Sequence, residues 1–102
     1  MDEFVADVAA GRHAERGWPN SMYGVSKLGE ATLTRTLAAE GAKDGTLWAA
    51  AICPGWCATD MSSFSGPKSA AQGADTAVWA ALQPRGALPT GRFWSGRQEE
   101  SF

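Results

Sequence analysis

The chain has no long hydrophobic run, no block of basic residues, only two cysteines and only one histidine among its 102 residues. Each shortage excludes something. No apolar stretch approaches the ~20 residues that a helix needs to cross a bilayer, so no membrane role is expected. Nine Lys and Arg against eleven Asp and Glu give a formal net charge of −2. With no basic cluster, a nucleic-acid or charged-surface partner is not expected either. Cys53 and Cys57 do not form a CxxC pair, and His13 stands far upstream, so the sequence offers no redox or zinc motif. Cys53 reads as a small apolar residue at a strand end, with a redox-sensitive thiol as the other reading. A disulfide is not expected in a cytosolic protein. The opening residues Met1-Asp-Glu-Phe are acidic, where a secretory signal is basic and then apolar, so a cytoplasmic location is expected. The twelve glycines are scattered, and none forms a GxGxxG turn behind a leading strand.

What is present reads as an ordered α/β chain. Hydrophobic residues make up 44% and charged residues 20%, which is not a disordered composition. Phe4, Val5 and Val8 give Asp2 to Ala10 a short helical pattern that stops at Gly11. A polar loop follows to Asn20, in which Trp18 reads as an anchor. Asn20 or Ser21 is placed to cap a helix that begins near Met22 and runs to about Ala42. Val25, Leu28, Ala31, Leu33 and Leu37 form its apolar stripe. Gly24 and Gly29 cost about 1 kcal/mol each against alanine there, which points to close approach by a neighbouring backbone or a ligand. After a charged turn, Leu47 to Cys53 is continuously apolar, as in a strand buried on both faces of a parallel sheet. Pro54-Gly55 ends it. Ser62 to Ser69 is a loop. Ala70 to Leu82 is a helix with Ala74, Val78, Ala81 and Leu82 turned inward. After a second loop, Gly91 to Ser95 is a short last strand, and Arg97 to Phe102 a mobile tail. Helix, strand, helix, strand is the crossover pattern of a doubly wound sheet.

Tyr23 and Lys27 lie four apart and share one helix face, about one turn from each other. An ammonium beside a phenol favours the phenolate. A phenol so tuned can exchange a proton with a carbonyl or alcohol oxygen. The same spacing also occurs on many solvated helices. Its context is what gives it weight. Downstream come the apolar strand and then Cys53-Pro54-Gly55-Trp56-Cys57-Ala58-Thr59-Asp60-Met61.

Tyr23-Gly-Val-Ser-Lys27, the strand, the Pro-Gly turn and Thr59-Asp60-Met61, in that order, resemble the catalytic half of the short-chain dehydrogenases/reductases. Gly17-Trp18, Leu28-Gly29, Cys53-Pro-Gly-Trp56 and Gly66-Pro67-Lys68-Ser69 narrow the resemblance to the monomeric, NADPH-dependent carbonyl reductase type. The resemblance covers nearly the whole chain. It implies the C-terminal portion of a doubly wound, Rossmann-type parallel sheet, left incomplete in residues 1–102. The family's glycine-rich cofactor turn, its Asn-Asn-Ala-Gly segment and its catalytic serine would precede Met1. Met1 to Pro19 resembles the end of the insertion found in carbonyl reductases. Ser21 sits too close to Tyr23 to be the serine and reads as a cap.

The resemblance also implies roles. Tyr23 would be the general acid in the NADPH-dependent reduction of a small carbonyl compound. Lys27 would assist it and hold the nicotinamide ribose. Pro54, Gly55 and Thr59 would meet the nicotinamide end of NADP, and Trp56 and Met61 the substrate. Other readings stand beside these. Thr59-Asp60 can cap a short helix. Trp56 can be core, like Trp48, Trp79 and Trp94. Lys68 reads as a solvated surface lysine. Without its cofactor half, the chain is expected to be poorly stable and inactive alone. The alternative function is a non-catalytic family member that binds another protein along an exposed strand edge.

Overall fold

The computed structural model describes residues 1–101; Phe102 lies outside them. Among the described residues, three helices and three short strands follow one another as α1 (Asp2–Ala9), α2 (Met22–Ala42), β1 (Ala50–Cys53), α3 (Ala70–Ala81), β2 (Arg92–Ser95) and β3 (Gln98–Glu100). A single 3₁₀ turn, Asp60–Ser62, lies between β1 and α3. The chain divides into two compact units, Met1–Leu33 and Thr34–Phe102.

In the first unit, α1 stands on its Phe4 side. Phe4 is buried, and Trp18 meets it edge-on with ring centroids 5.2 Å apart. The buried carboxylate of Asp7 accepts a hydrogen bond from Trp18 Nε1 at 2.8 Å and pairs with Arg16 at 3.2 Å. That satisfies a charge that would otherwise be costly to bury. Trp18 is therefore the loop anchor that the sequence indicates. Val5, counted as part of the apolar face, is exposed.

Helix α2 starts where the sequence places it. Ser21 Oγ accepts from the Gly24 N–H at 2.9 Å, the bond of an N-cap. Val25 is buried, but Leu28, Leu33 and Leu37 of the expected stripe are exposed. No backbone fills the space beside Gly24 and Gly29. It is held instead by the Ser21 side chain and the Met1 thioether.

In the second unit, β1 pairs in parallel with β2, Ala50 opposite Arg92 through Cys53 opposite Ser95. A parallel pair needs a crossover, and α3 is it. The Gly91 N–H donates to Ala49 O at 2.7 Å and carries the pairing one step further. β1 is shorter than the apolar run implies, and it is half-buried because it stands at one end of the sheet. Leu47 and Trp48 lie before it. Leu47 covers Gly41 of α2, and the Trp48 indole donates to Leu88 O at 3.0 Å. Trp94 is the buried aromatic of the sheet, with Trp79 of α3 edge-on to it at 5.7 Å.

The inner face of α3 is not the expected one. Ala74, Val78, Ala81 and Leu82 are exposed, whereas Gly73, Thr76 and Ala80 are buried. The reason is distance: a Cβ on Gly73 would collide with Cys57 Sγ. The helix lies so close to the turn after β1 that only small residues fit between them. The same holds at the end of α2, where Ala38 and Gly41 are buried in place of the leucines.

The residues read as a mobile tail form β3 instead, antiparallel to β2. Gly96 and Arg97, at φ 56° and 60°, make the two-residue turn between them. Arg97 fastens that turn to α3. Its N–H donates to Thr76 Oγ1 at 3.1 Å, and its guanidinium donates to both oxygens of Asp75 at 2.8 and 2.7 Å. The end of that expected tail, Phe102, lies outside the described residues.

Two expectations follow. Gly73→Ala should lower stability by about 1–3 kcal/mol through overpacking, although alanine is the better helix former. Cys57→Ala in the same chain should restore most of it, as read by urea unfolding. The Arg97 hydrogen bonds hold the Asp75 carboxyl below the usual carboxylate range, partly opposed by desolvation. A lowered carboxylate pKa stabilises the fold above its unfolded value of ~3.9, and this is lost as pH falls through the folded value. The thermal midpoint should therefore fall more steeply below about pH 4 in the parent chain than in Asp75→Asn. Parallel curves would show that the pair contributes nothing.

Candidate active site

Tyr23 and Lys27 belong to the first unit and lie in the first two turns of α2. The Ser21 cap fixes where the helix begins, and Ser26 Oγ donates to Tyr23 O at 2.7 Å. The phenol is exposed. Lys27 Nζ lies 5.5 Å from the centre of the Tyr23 ring, within the range of a cation–π contact. It also donates to Glu30 Oε1 and Oε2 at 3.3 and 3.4 Å. The structure thus brings the tyrosine and lysine together as the helical spacing requires. Glu30 was not singled out in the sequence, although its place three residues after Lys27 is itself a helix-pair signal.

Pro54, Gly55, Trp56, Thr59 and Met61 belong to the second unit and leave the carboxyl end of β1, where open α/β sheets bind ligands. Gly55 has φ 81°, a left-handed conformation that favours glycine. Pro54 and Gly55 are both exposed, so their backbone is accessible to a ligand. Thr59 is half-buried and precedes the 3₁₀ turn. Its N–H donates to Ser62 Oγ at 3.2 Å, and its carbonyl accepts from Phe64 N at 2.8 Å. The helix-start reading of Thr59-Asp60 is therefore realised. Trp56 is exposed rather than core, with its indole against Gly66, and Met61 is exposed on the same loop. Phe64, also exposed and at φ 59°, was not singled out in the sequence.

Lys68 is not the free surface lysine that the sequence suggests. It is half-buried and reaches back to the turn, with Nζ 3.4 Å from Pro54 O. Its stem and ammonium fill the space a Gly55 side chain would need. Its backbone is paired as well: Lys68 N–H donates to Trp56 O at 3.3 Å, and Ala58 N–H to Lys68 O at 2.8 Å. No local signal announces this, because the contact joins segments fourteen residues apart. Cys53 and Cys57 are both free thiols. Cys57 Sγ lies 3.7 Å from Pro54 O and 3.6 Å from Gly55 O. Among the described residues no helix is long and apolar enough to cross a membrane, and no cluster of acidic, His and Cys side chains is placed to hold a metal.

The exposed phenol and ammonium of α2 are donors that suit a ribose hydroxyl. The sequence has no glycine-rich turn for a pyrophosphate.

No protein-family model matches the chain. Carbonyl reductase [NADPH] 1 of Rattus norvegicus is 41% identical to it over 106 aligned positions, covering 100% of this chain and 38% of that protein. Carbonyl reductase [NADPH] 3 of Mus musculus is 45% identical over 87 positions, 82% of this chain and 31% of that protein. The chain thus spans well under half the length of the relatives it matches. Among solved structures, salutaridine reductase from Papaver somniferum matches with a TM-score of 0.77 and 28% identity, over 91% of this chain and 31% of that one. That enzyme has the Rossmann-type fold of the short-chain dehydrogenases/reductases, and the three-stranded sheet here is a portion of such a fold with β3 added antiparallel. Over its whole length the chain is related to the carbonyl reductase type of the short-chain dehydrogenase/reductase family, and it corresponds to the C-terminal part of those enzymes.

Proposed function

We propose that residues 1–102 are the proton-donating, substrate-side part of an enzyme that reduces small carbonyl compounds with NADPH. The observation that carries this reading is the Tyr23–Lys27 pair, exposed on one face of α2 with the ammonium 5.5 Å from the phenol ring centre. The relatives that support it are named as NADPH carbonyl reductases.

When bound, the cofactor supplies the hydride that reaches the carbonyl carbon. Tyr23 gives its phenolic proton to the carbonyl oxygen, so that C=O becomes CH–OH. Lys27 holds the ribose. Pro54 and Gly55 present backbone to the nicotinamide end, and Thr59 its hydroxyl. Trp56 and Met61 give the substrate an apolar wall, suited to aromatic or hydrophobic carbonyl compounds. In this reading residues 1–102 are the C-terminal part of one domain. The complete enzyme is a cytoplasmic monomer. Turnover requires the glycine-rich half, so the 102 residues alone are inactive.

A second reading, a non-catalytic partner for another polypeptide, is favoured by one observation. β1 (Ala-Ala-Ile-Cys) is an uncharged end strand of the sheet, and the opposite end, β3, carries two glutamates.

Two measurements test these readings. Joined to the N-terminal part of the rat relative, the chain should support NADPH oxidation by an aromatic ketone. Tyr23→Phe should lower kcat there by at least about 10²-fold while NADPH binding stays within about twofold. Near-normal turnover would remove Tyr23 from this role. In a fluorescence titration, the separate chain should show no saturable NADPH binding and the joined polypeptide should bind. Saturable micromolar binding by the separate chain would exclude the second reading.

A further inference from the structure

The Pro54–Gly55 turn is held from outside β1. Pro54 O is approached by two donors, Lys68 Nζ at 3.4 Å and Cys57 Sγ at 3.7 Å. The ammonium is the stronger, because a charged donor strengthens a hydrogen bond. Around Gly55 the Lys68 side chain takes the place of a Cβ: Nζ, Cε and Cδ lie 2.8, 3.1 and 3.2 Å from where that atom would be. Lys68 is itself fixed on both sides of its backbone, through Trp56 O and the Ala58 N–H. Its following residue, Ser69, caps α3, with its hydroxyl accepting from Gln72 N at 3.1 Å. The lysine therefore ties three things together: the turn at the end of β1, the loop that carries Trp56, and the start of α3. Among the described residues, Pro54 O is the only hydrogen-bond acceptor its side chain has.

We infer that Lys68 is a positioning residue, whose ammonium holds the Pro54–Gly55 turn in its left-handed shape and so sets how the turn receives the cofactor. The effect on the cofactor rests on the carbonyl reductase reading; the effect on the turn does not. Charge and length matter separately. Methionine keeps the stem that fills the Gly55 space and removes the donor. Arginine keeps the donor.

The test is the series Lys68→Met, Lys68→Arg and Lys68→Ala. In the joined polypeptide, Lys68→Met should raise the KM for NADPH roughly three- to tenfold with a smaller change in kcat. Lys68→Arg should restore KM to within about twofold. A general loss of folded fraction would lower the apparent kcat and leave KM nearly unchanged, and arginine alone would not rescue it. A second readout needs no turnover. Pro54-Gly55 is the only Pro-Gly pair in the chain, so carbonyl-¹³C proline with ¹⁵N glycine gives it a single amide cross-peak. That peak should move in Lys68→Met and return toward its original position in Lys68→Arg. An unmoved peak with an unchanged KM overturns the inference. If Tyr23→Phe keeps its turnover but the peak still moves, the enzymatic reading fails and the role of Lys68 at the turn stands. Should the separate chain give no folded spectrum, the KM series decides alone.

Discussion

The parallel pairing of β1 with β2 is the constraint from which the second unit follows. Two parallel strands cannot be joined by a tight turn, so the chain must leave the carboxyl end of β1, cross over as α3, and re-enter at the start of β2. The loop that leaves β1 is the one with Pro54, Gly55, Trp56 and Met61. The site residues of this unit therefore stand at the carboxyl end of a strand because the ladder is parallel. The crossover also brings α3 against that loop, where Gly73 meets Cys57 and Ser69 adjoins Lys68.

Close approach, more than hydrophobicity, decides which helix faces are covered. On α3 the buried residues are Gly73, Thr76 and Ala80, and on the last turns of α2 they are Ala38 and Gly41. Larger apolar side chains such as Leu28, Leu33, Leu37, Val78 and Leu82 remain exposed. Apolar surface left in water contributes none of the ~25 cal/mol per Å² that burial provides. Much of the driving force that this composition could supply is therefore unused in the 102 residues. That agrees with a chain that covers only 31% of a solved reductase.

The order of elements was legible from the sequence because its signals are local. The span of α2 follows from the Ser21 cap and the run to Ala42, and the β1 turn follows from Pro54-Gly55. Which way the helices face was not legible. A stripe of leucines at helical spacing marks an apolar face, but whether anything covers it depends on the rest of the chain. β3 was hidden for a related reason. Gln-Glu-Glu has little strand propensity, and it pairs because Gly96-Arg97 turns the chain back and Arg97 fastens to Asp75 and Thr76.

At the candidate site the division is the same. The sequence dictates the Tyr23–Lys27 pair, since residues four apart on a helix meet whatever surrounds them. It also dictates the Pro-Gly turn after an apolar strand. The folded arrangement alone leaves Trp56 exposed, requires Gly73 to be small, and lays Lys68 on Gly55 rather than in solvent. Each of those depends on segments distant in sequence. No spacing rule along the chain encodes such distances, which are set by where the crossover brings the helix and loop back to the strand.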